Sequence, residues 1–407
     1  MGTNSVSSWG LYLAFGLQSV GMAIGWQYIT YFLKHELGVT SFILMTTIFA
    51  APSFVMILAM SFWGAISDRV GKRKPFLLLG FAGYFATYLL YSFVSTSTEY
   101  FVIAVVGTFF SSAALPAGQA LMTTETHKKG ERLALLLVAQ SAGWFCGALF
   151  SGVMYDIVGM FVLYRIAALV SVAAFVACAL FVNDIALPLS TGESALGFIH
   201  LLGRPGMARL LMAAILSTLG MNAVSSVTAI IISDELGGPT AFVGYANSAA
   251  TALAALITGY VGRVIDRKGP ISVLISGLAM YSMFALAFAL VTDPVSATIL
   301  YALPLYPLVV TATSTFAALI SGEEERGRAM GLVNGASNAG AAIGPIVGGV
   351  FADLVFHRAQ PVSWINLVFN VIALVLAISL IGVGRRLHAE AVAAREASAE
   401  GGAVGEA

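Results

Sequence analysis

The residues of this chain whose types and spacing could do chemistry begin with two short charged stretches. Residues 64–74 read Gly-Ala-Ile-Ser-Asp-Arg-Val-Gly-Lys-Arg-Lys, and residues 262–269 read Gly-Arg-Val-Ile-Asp-Arg-Lys-Gly. The pattern Gly-x-x-x-Asp-Arg-x-Gly therefore occurs twice, as Gly64, Asp68, Arg69 and Gly71 and as Gly262, Asp266, Arg267 and Gly269, 198 residues apart. Each copy stands between long apolar runs. A carboxylate near a helix N-terminus is favoured by the unpaired amides and the dipole there, by about 0.3–1 kcal/mol and up to ~2 when partly buried. Glycine lets such a turn be tight and backbones approach. Covalent chemistry has no comparable basis: there is no Gly-x-x-x-x-Gly-Lys-Ser/Thr phosphate loop, no Ser/His/Asp set and no His/Glu cluster within the apolar runs. No enzyme activity, metal or cofactor is expected.

The elements that must position these turns follow from composition. Of 407 residues, 59% are apolar and 10% charged, against roughly 25% charged in ordinary soluble domains. A bilayer core requires about 20 mostly apolar residues per helix, and irregular backbone cannot face lipid. The expected fold class is an all-α membrane protein. Apolar spans fall near 9–33, 41–66, 75–95, 99–122, 132–155, 160–182, 207–232, 241–262, 271–291, 295–320, 329–355 and 362–384. These twelve divide six and six about the polar stretch 183–206. The expected organisation is a six-helix bundle over 1–182, a cytoplasmic linker over 183–206, a second six-helix bundle over 207–384 and a cytoplasmic tail over 385–407.

Basic residues set the orientation, because cytoplasmic loops collect Lys and Arg. With a cytoplasmic N-terminus, 17 of the 20 basic residues lie inside, and only Lys34, Arg358 and, within span six, Arg165 do not. Both termini are then cytoplasmic and the chain is multi-pass in the cytoplasmic membrane. The formal charge of zero gives no reason to expect nucleic acid. Cys146 and Cys178 lie in apolar runs and read as buried, unpaired thiols.

The halves repeat one another. Leu17-Gln18-Ser19-Val20-Gly21-Met22 matches Leu216-Ser217-Thr218-Leu219-Gly220-Met221, and Glu36-Leu37-Gly38 matches Glu235-Leu236-Gly237, both at an offset of 199. Gly143, Gly147, Gly152 and Asp156 match Gly340, Gly344, Gly349 and Asp353 at an offset of 197. A duplicated six-helix unit explains this.

On these motifs the chain resembles the major facilitator superfamily, whose loop between transmembrane helices two and three carries the charged pattern, often echoed between helices eight and nine. The resemblance covers essentially residues 9–384. It implies twelve transmembrane helices in two pseudo-symmetric bundles, alternating access, and substrate bound between the halves. It further implies that Asp68 meets the start of span eleven near Ala329, and Asp266 the start of span five near Leu133, when the cytoplasmic side is closed. Gly64, Asp68, Arg69, Gly71, Arg73, Gly262, Asp266, Arg267 and Gly269 are accordingly expected to gate. The second copy lacks the basic run and has Pro270 instead.

Family resemblance assigns the cavity to spans one, four, seven and ten, where polar residues at lipid depth usually face an interior. The candidates for substrate contact are Gln18 and Tyr28, with Gly21 and Gly25 on nearly the face of Gln18; Gln119; Thr218, Asn222 and Ser225 at i, i+4 and i+7; and Tyr306. From the gating helices Gln140, Trp144, Asn334 and Asn338 could reach inward. Interhelical hydrogen bonding is the competing role for each. Trp26, Phe109 and Phe110 read as packing or interface residues. Gly143, Gly147, Gly340, Gly344, Pro345, Gly348 and Gly349 read as surfaces for packing and bending. The Gly-x-x-x-Gly-Pro-x-x-Gly-Gly element lies in span eleven, whereas antiporters of the superfamily carry such a pattern in helix five.

No Asp, Glu, His or Lys lies in the middle third of any span. Glu36, Asp156, Asp234, Glu235 and Asp353 cluster toward the outer helix ends, where Arg165 is placed to pair with Asp156. A cavity without formal charge suits a small neutral or amphipathic organic solute, sugar-like or drug-like. Proton-coupled movement of a drug or monocarboxylate-type anion is the alternative, and a receptor that binds without carrying is less favoured. The expected partners are the solute, the bilayer and, in the coupled case, protons, with the chain a monomer.

Overall fold

The computed structural model describes residues 8–123, 129–184, 200–322 and 325–386, and among these every regular element is helical. Most of the expected linker, the tail from 387 and residues 1–7 lie outside the described residues.

The apolar runs become twelve spans. Span one is Ser8–Trp26 with Ile29–His35, span two Phe42–Val70, span three Lys74–Tyr91, and span four Ser97–Ser111 with Ala114–Thr123. Lys129–Phe181 holds spans five and six, broken where Gly159 takes φ 73°. Span seven joins Met207–Ser225, Thr228–Ile230 and a π-helical turn Ile231–Glu235. Span eight is Ala241–Lys268, span nine Pro270–Leu290, and span ten Pro294–Tyr301 with Tyr306–Ser321. Span eleven is Arg326–Phe351 with a π turn Ala352–Phe356, and span twelve begins with Val362–Ile378.

Spans one, four, seven and ten, every third one, are interrupted part-way by non-helical residues. In span ten the break contains Pro304 and precedes Pro307, and proline removes a helix donor and clashes with the preceding turn. At the break of span seven the Ser226 carbonyl is taken by the Thr30 hydroxyl, which opens the second piece of span one (2.6 Å). The two breaks thus face each other across the halves.

Within each half the glycine stripes let helices touch. A Cβ on Gly143 or Gly147 would overlap the carbonyls of Gly16 and Val20 in span one. A Cβ on Gly340 would sit 2.5 Å from the Ile215 carbonyl oxygen of span seven, and one on Gly348 2.9 Å from that of Ala223. The repeat seen in the residues is therefore a repeat in packing: span five lies on span one as span eleven lies on span seven. Gly38 and Gly237, which end the matched Glu-Leu-Gly triplets, both take left-handed backbone, φ 65° and 71°.

The charged turns are shorter than the motif. Gly64 lies within span two, with Pro116 the nearest neighbour to its missing Cβ at 3.9 Å, and Gly262 lies within span eight. The chain leaves the helix only at Gly71 (φ 68°) and Gly269 (φ 79°). The expectation that all four glycines shape tight turns is corrected accordingly. The apolar spacing keeps residues 64–70 helical, so the first glycine of each copy lies a turn and a half inside the rod.

Candidate functional site

Among the described residues the two halves meet at the end of the bundle opposite the charged turns and are apart at the basic end. The seal is built from two related contacts. Span eleven lies against span two: a Cβ on Gly349 would overlap the Thr46 hydroxyl, and the Asp353 carboxylate accepts from Ser41 Oγ (2.6 Å) and from the backbone amides of Phe42 and Ile43 (both 2.8 Å). These are among the donors that a helix N-terminus leaves unpaired, so an acid of one half caps a helix of the other. Span five lies against span eight: Gly152 and Gly244 touch backbone to backbone, a Cβ on Gly244 falling 2.5 Å from Gly152 Cα. Beside them Asp156 accepts from the Thr240 hydroxyl (2.7 Å) at the start of span eight, and Ser248 Oγ donates to the Phe145 carbonyl (3.3 Å).

Between these flanks run further cross-half bonds. Tyr28, fully buried, donates to the Thr240 carbonyl (2.8 Å). Lys34 and His35 both reach the Asp234 carboxylate, at 2.6 and 2.9 Å. Glu235 instead stays within its half, accepting from the amides of Ala359 (2.6 Å) and Gln360 (2.8 Å). Arg165 does not pair with Asp156; its guanidinium lies 5.6 Å from the Phe93 ring centroid. That expectation is corrected, because Asp156 turns toward the partner half while Arg165 turns outward.

At the basic end Asp68 pairs with Arg73 of its own turn rather than with the other half. Arg73 is buried and also reaches Ser67. Asp184, at the end of span six, accepts from the amides of Arg73 (2.9 Å) and Lys74 (3.2 Å), and Lys74 Nζ donates to the Ala179 carbonyl (2.7 Å). Asp266 and Arg267 are exposed, and among the described residues neither has a hydrogen bond or ion pair. Missing Cβ atoms at Gly259, Gly262, Gly327 and Gly335 would meet nothing within 4 Å. The facing surfaces of spans eight and eleven are thus open here, whereas they are packed at the other end.

The candidate contact residues divide into three groups. Asn334 and Asn338, one turn apart on span eleven, are exposed and without a hydrogen bond among the described residues. Gln119 and Tyr306 are also exposed, and Gln140 and Trp144 are partly so. Thr218, Asn222 and Ser225 share a face, but Thr218 Oγ1 and Asn222 Nδ2 donate to carbonyls of their own helix, at 2.7 and 2.9 Å. The Tyr301 hydroxyl reaches Ser225 and Thr228. Gln18 is only 5% exposed, its amide on Met22 Sδ and its side chain beside the Tyr84 hydroxyl. Gly21 and Gly25 face Ser171 and the Tyr88 ring, so their backbone lies inside the first bundle and not on a path for solute. Tyr28 belongs to the seal.

Of the cysteines, Cys178 is buried as expected, whereas Cys146 is exposed; both are free. Trp26 packs against Phe49 with the rings tilted by 56°, and Phe109 and Phe110 pack round Trp63, whose indole donates to the Phe109 carbonyl (2.6 Å).

Sequence reasoning missed one polar network altogether. Ser217 donates to Asn370 (2.9 Å), and Asn370 to Asn366 (2.6 Å), all three buried between spans seven and twelve. The paired asparagines at i and i+4 in an apolar run were its only signal.

The family model described as Major Facilitator Superfamily matches residues 11–319 and 210–403. The multidrug resistance protein MdtG of Proteus mirabilis is 28% identical over 249 residues, covering 58% of this chain and 60% of that protein. The chromaffin granule amine transporter of Homo sapiens is 30% identical over 115 residues, 28% of this chain and 22% of that one. The chain thus spans about three-fifths of the length of the bacterial relative it matches. Among solved structures, the nucleoside transporter NupG superposes with a TM-score of 0.76 at 13% identity, covering 92% of this chain and 98% of that one. At that identity the likeness concerns the fold alone. With a doubled charged turn, two repeated six-helix bundles and a family match that runs through both, the chain belongs to the major facilitator superfamily.

Proposed function

We propose that this chain is an alternating-access secondary transporter of a small neutral or amphipathic organic solute, seen here open at its basic end. The observation that carries the reading is that, among the described residues, the halves meet at the end opposite the charged turns, through a seal of hydrogen bonds and glycine contacts that rigid-body rocking can break. The positive-inside distribution of Lys and Arg puts the basic end, and with it both termini, on the cytoplasmic side of the cytoplasmic membrane. Asn334 and Asn338 stand exposed on the open side, where Asn side chains at lipid depth require water or a solute as partner. The solute would lie there, between residues 1–182 and 207–384, with Gln119, Gln140, Trp144, Thr218, Asn222, Ser225 and Tyr306 as the remaining candidate contacts.

Closing the basic end would exchange partners. Asp68 would leave Arg73 for the start of span eleven near Ala329, and Asp266 would meet the start of span five near Leu133. The same chemistry, a carboxylate on the helix N-terminus of the other half, would then seal each end in turn.

The test is solute counterflow in proteoliposomes, with internal pH recorded during addition of sugars, monocarboxylates and lipophilic cations. Counterflow without proton movement is expected. A solute that moves protons reproducibly would favour the second reading, proton-coupled drug or organic-anion transport, which has in its support the relatives named as multidrug resistance proteins and the cross-half acids Asp156 and Asp353. Binding without exchange would indicate a receptor.

A further inference from the structure

At the basic end of the second half, residues 200–205 before span seven, the end of span ten and the residues that follow Val362–Ile378 surround a cavity of about 840 Å³. Pro205, Ile320 and Val383 give it an apolar wall, and His200, Arg204 and Arg386 a basic one. The charges are not equivalent. Arg204 is already committed, bonded to the Ile320 carbonyl (3.0 Å) and to Glu325, whose carboxylate also has His200 at 3.5 Å. Arg386 is exposed and makes no hydrogen bond or ion pair among the described residues. Arg209 binds Ser379, a lining residue, donating from Nη1 to its carbonyl and hydroxyl at 3.1 and 3.2 Å. Glu325 is thus satisfied by Arg204, and among the described residues the lining Arg386 has no anion.

We propose that this cavity binds the headgroup phosphate of an anionic phospholipid from the leaflet at the basic end. The position fits: Gly382, Val383 and Arg386 lie in the last described turns, past the apolar helix Val362–Ile378, where a helix of that length would meet the polar headgroup layer. The chemistry fits as well, since guanidinium groups bind phosphate with charge-assisted hydrogen bonds. Basic pockets between membrane helices are suited to acidic lipid headgroups. Ile320, Val383 and Pro205 offer the glycerol and the first methylenes an apolar wall, which a free phosphate would not use. The proposal rests on the placement of the helices in a bilayer and is independent of what the chain carries.

The test uses the full chain in detergent, with phosphatidylglycerol, phosphatidylcholine and inorganic phosphate as probes, read by native mass spectrometry and by unfolding temperature. Phosphatidylglycerol is expected to be retained and to raise the unfolding temperature, while phosphatidylcholine does neither. Arg386→Gln should weaken phosphatidylglycerol binding about fivefold, the effect of one arginine near an anionic surface. Gly382→Phe, which fills open space while leaving every charge in place, should weaken it at least as much. Arg358→Gln, the same loss of charge at the opposite end, should leave it unchanged. Wild-type affinity in either Arg386→Gln or Gly382→Phe overturns the cavity site. Equal retention of both lipids overturns charge recognition, and full stabilisation by inorganic phosphate alone overturns the lipid in favour of a soluble anion.

Discussion

Asp353 and Asp156 occupy matching positions in the two halves, yet they do unequal work. Asp353 accepts from two backbone amides and a hydroxyl at the start of span two, whereas among the described residues Asp156 accepts from the Thr240 hydroxyl alone. Removing a capping acid costs about 0.5–2 kcal/mol. Asp353→Ala should therefore speed hydrogen exchange at the Phe42 and Ile43 amides by about 2–30-fold, and Asp156→Ala should change exchange at the start of span eight far less. Unchanged rates at Phe42 and Ile43 would mean that the carboxylate does not hold the seal. The Ser217, Asn370 and Asn366 chain is a second residue-scale feature, and here the expected cost is modest. Interhelical hydrogen bonds in membranes average about 0.6 kcal/mol, with a maximum near 1.7. Asn370→Leu should lower unfolding stability by about that range, measured in detergent, and leave transport intact if the network only packs.

At the scale of elements, glycine decides how close the helices come. Gly344 presents its missing Cβ to the Leu219 carbonyl of span seven, whereas Gly335, two and a half turns earlier on the same helix, faces open space. Gly344→Leu forces the two spans apart and should cost about 1–3 kcal/mol or more, as overpacking does. Gly335→Ala should be neutral or stabilising by up to about 1 kcal/mol, because alanine loses less backbone freedom in a helix than glycine. Thermal unfolding of the two variants side by side checks both signs. The breaks in spans one, four, seven and ten belong to the same scale. They free backbone carbonyls part-way along the helices, and the Ser226 carbonyl is already used by Thr30 of the other half.

For the whole molecule, the decisive property is that the seal and the opening lie at opposite ends. A cysteine at Gly335 or Gly262, in a Cys146→Ala background because Cys146 is itself exposed, should react readily with a polar thiol reagent applied from the basic side. A transported solute that drives closure should slow that reaction, and should speed modification of a cysteine at Leu44, next to the seal. If both rates stay fixed under a solute that shows counterflow, rocking of the two halves is not the mode of transport.

How much of this was legible in the residues depends on the range of the interaction. Twelve spans and the duplication follow from apolar run length and from glycines and acids at constant offsets, because lipid forces each run to close its own backbone hydrogen bonds. The direction of Gln18 did not follow: period alone puts it on a face with Gly21 and Gly25, but only the neighbouring helices show that this face meets Tyr84, Ser171 and Tyr88 within one bundle. The length of the charged turns did not follow either, since a glycine inside a motif does not announce whether the helix has ended. Tyr28, Asp156 and Asp353 look alike as polar residues near helix ends. They become a seal only because Thr240, Ser41, Phe42 and Ile43, some 80 to more than 300 residues away, arrive beside them. The sequence determined the helices, their number and their repeat, all local consequences of burying apolar side chains in lipid. The tertiary structure decided which polar groups meet across the halves, and therefore which end is shut.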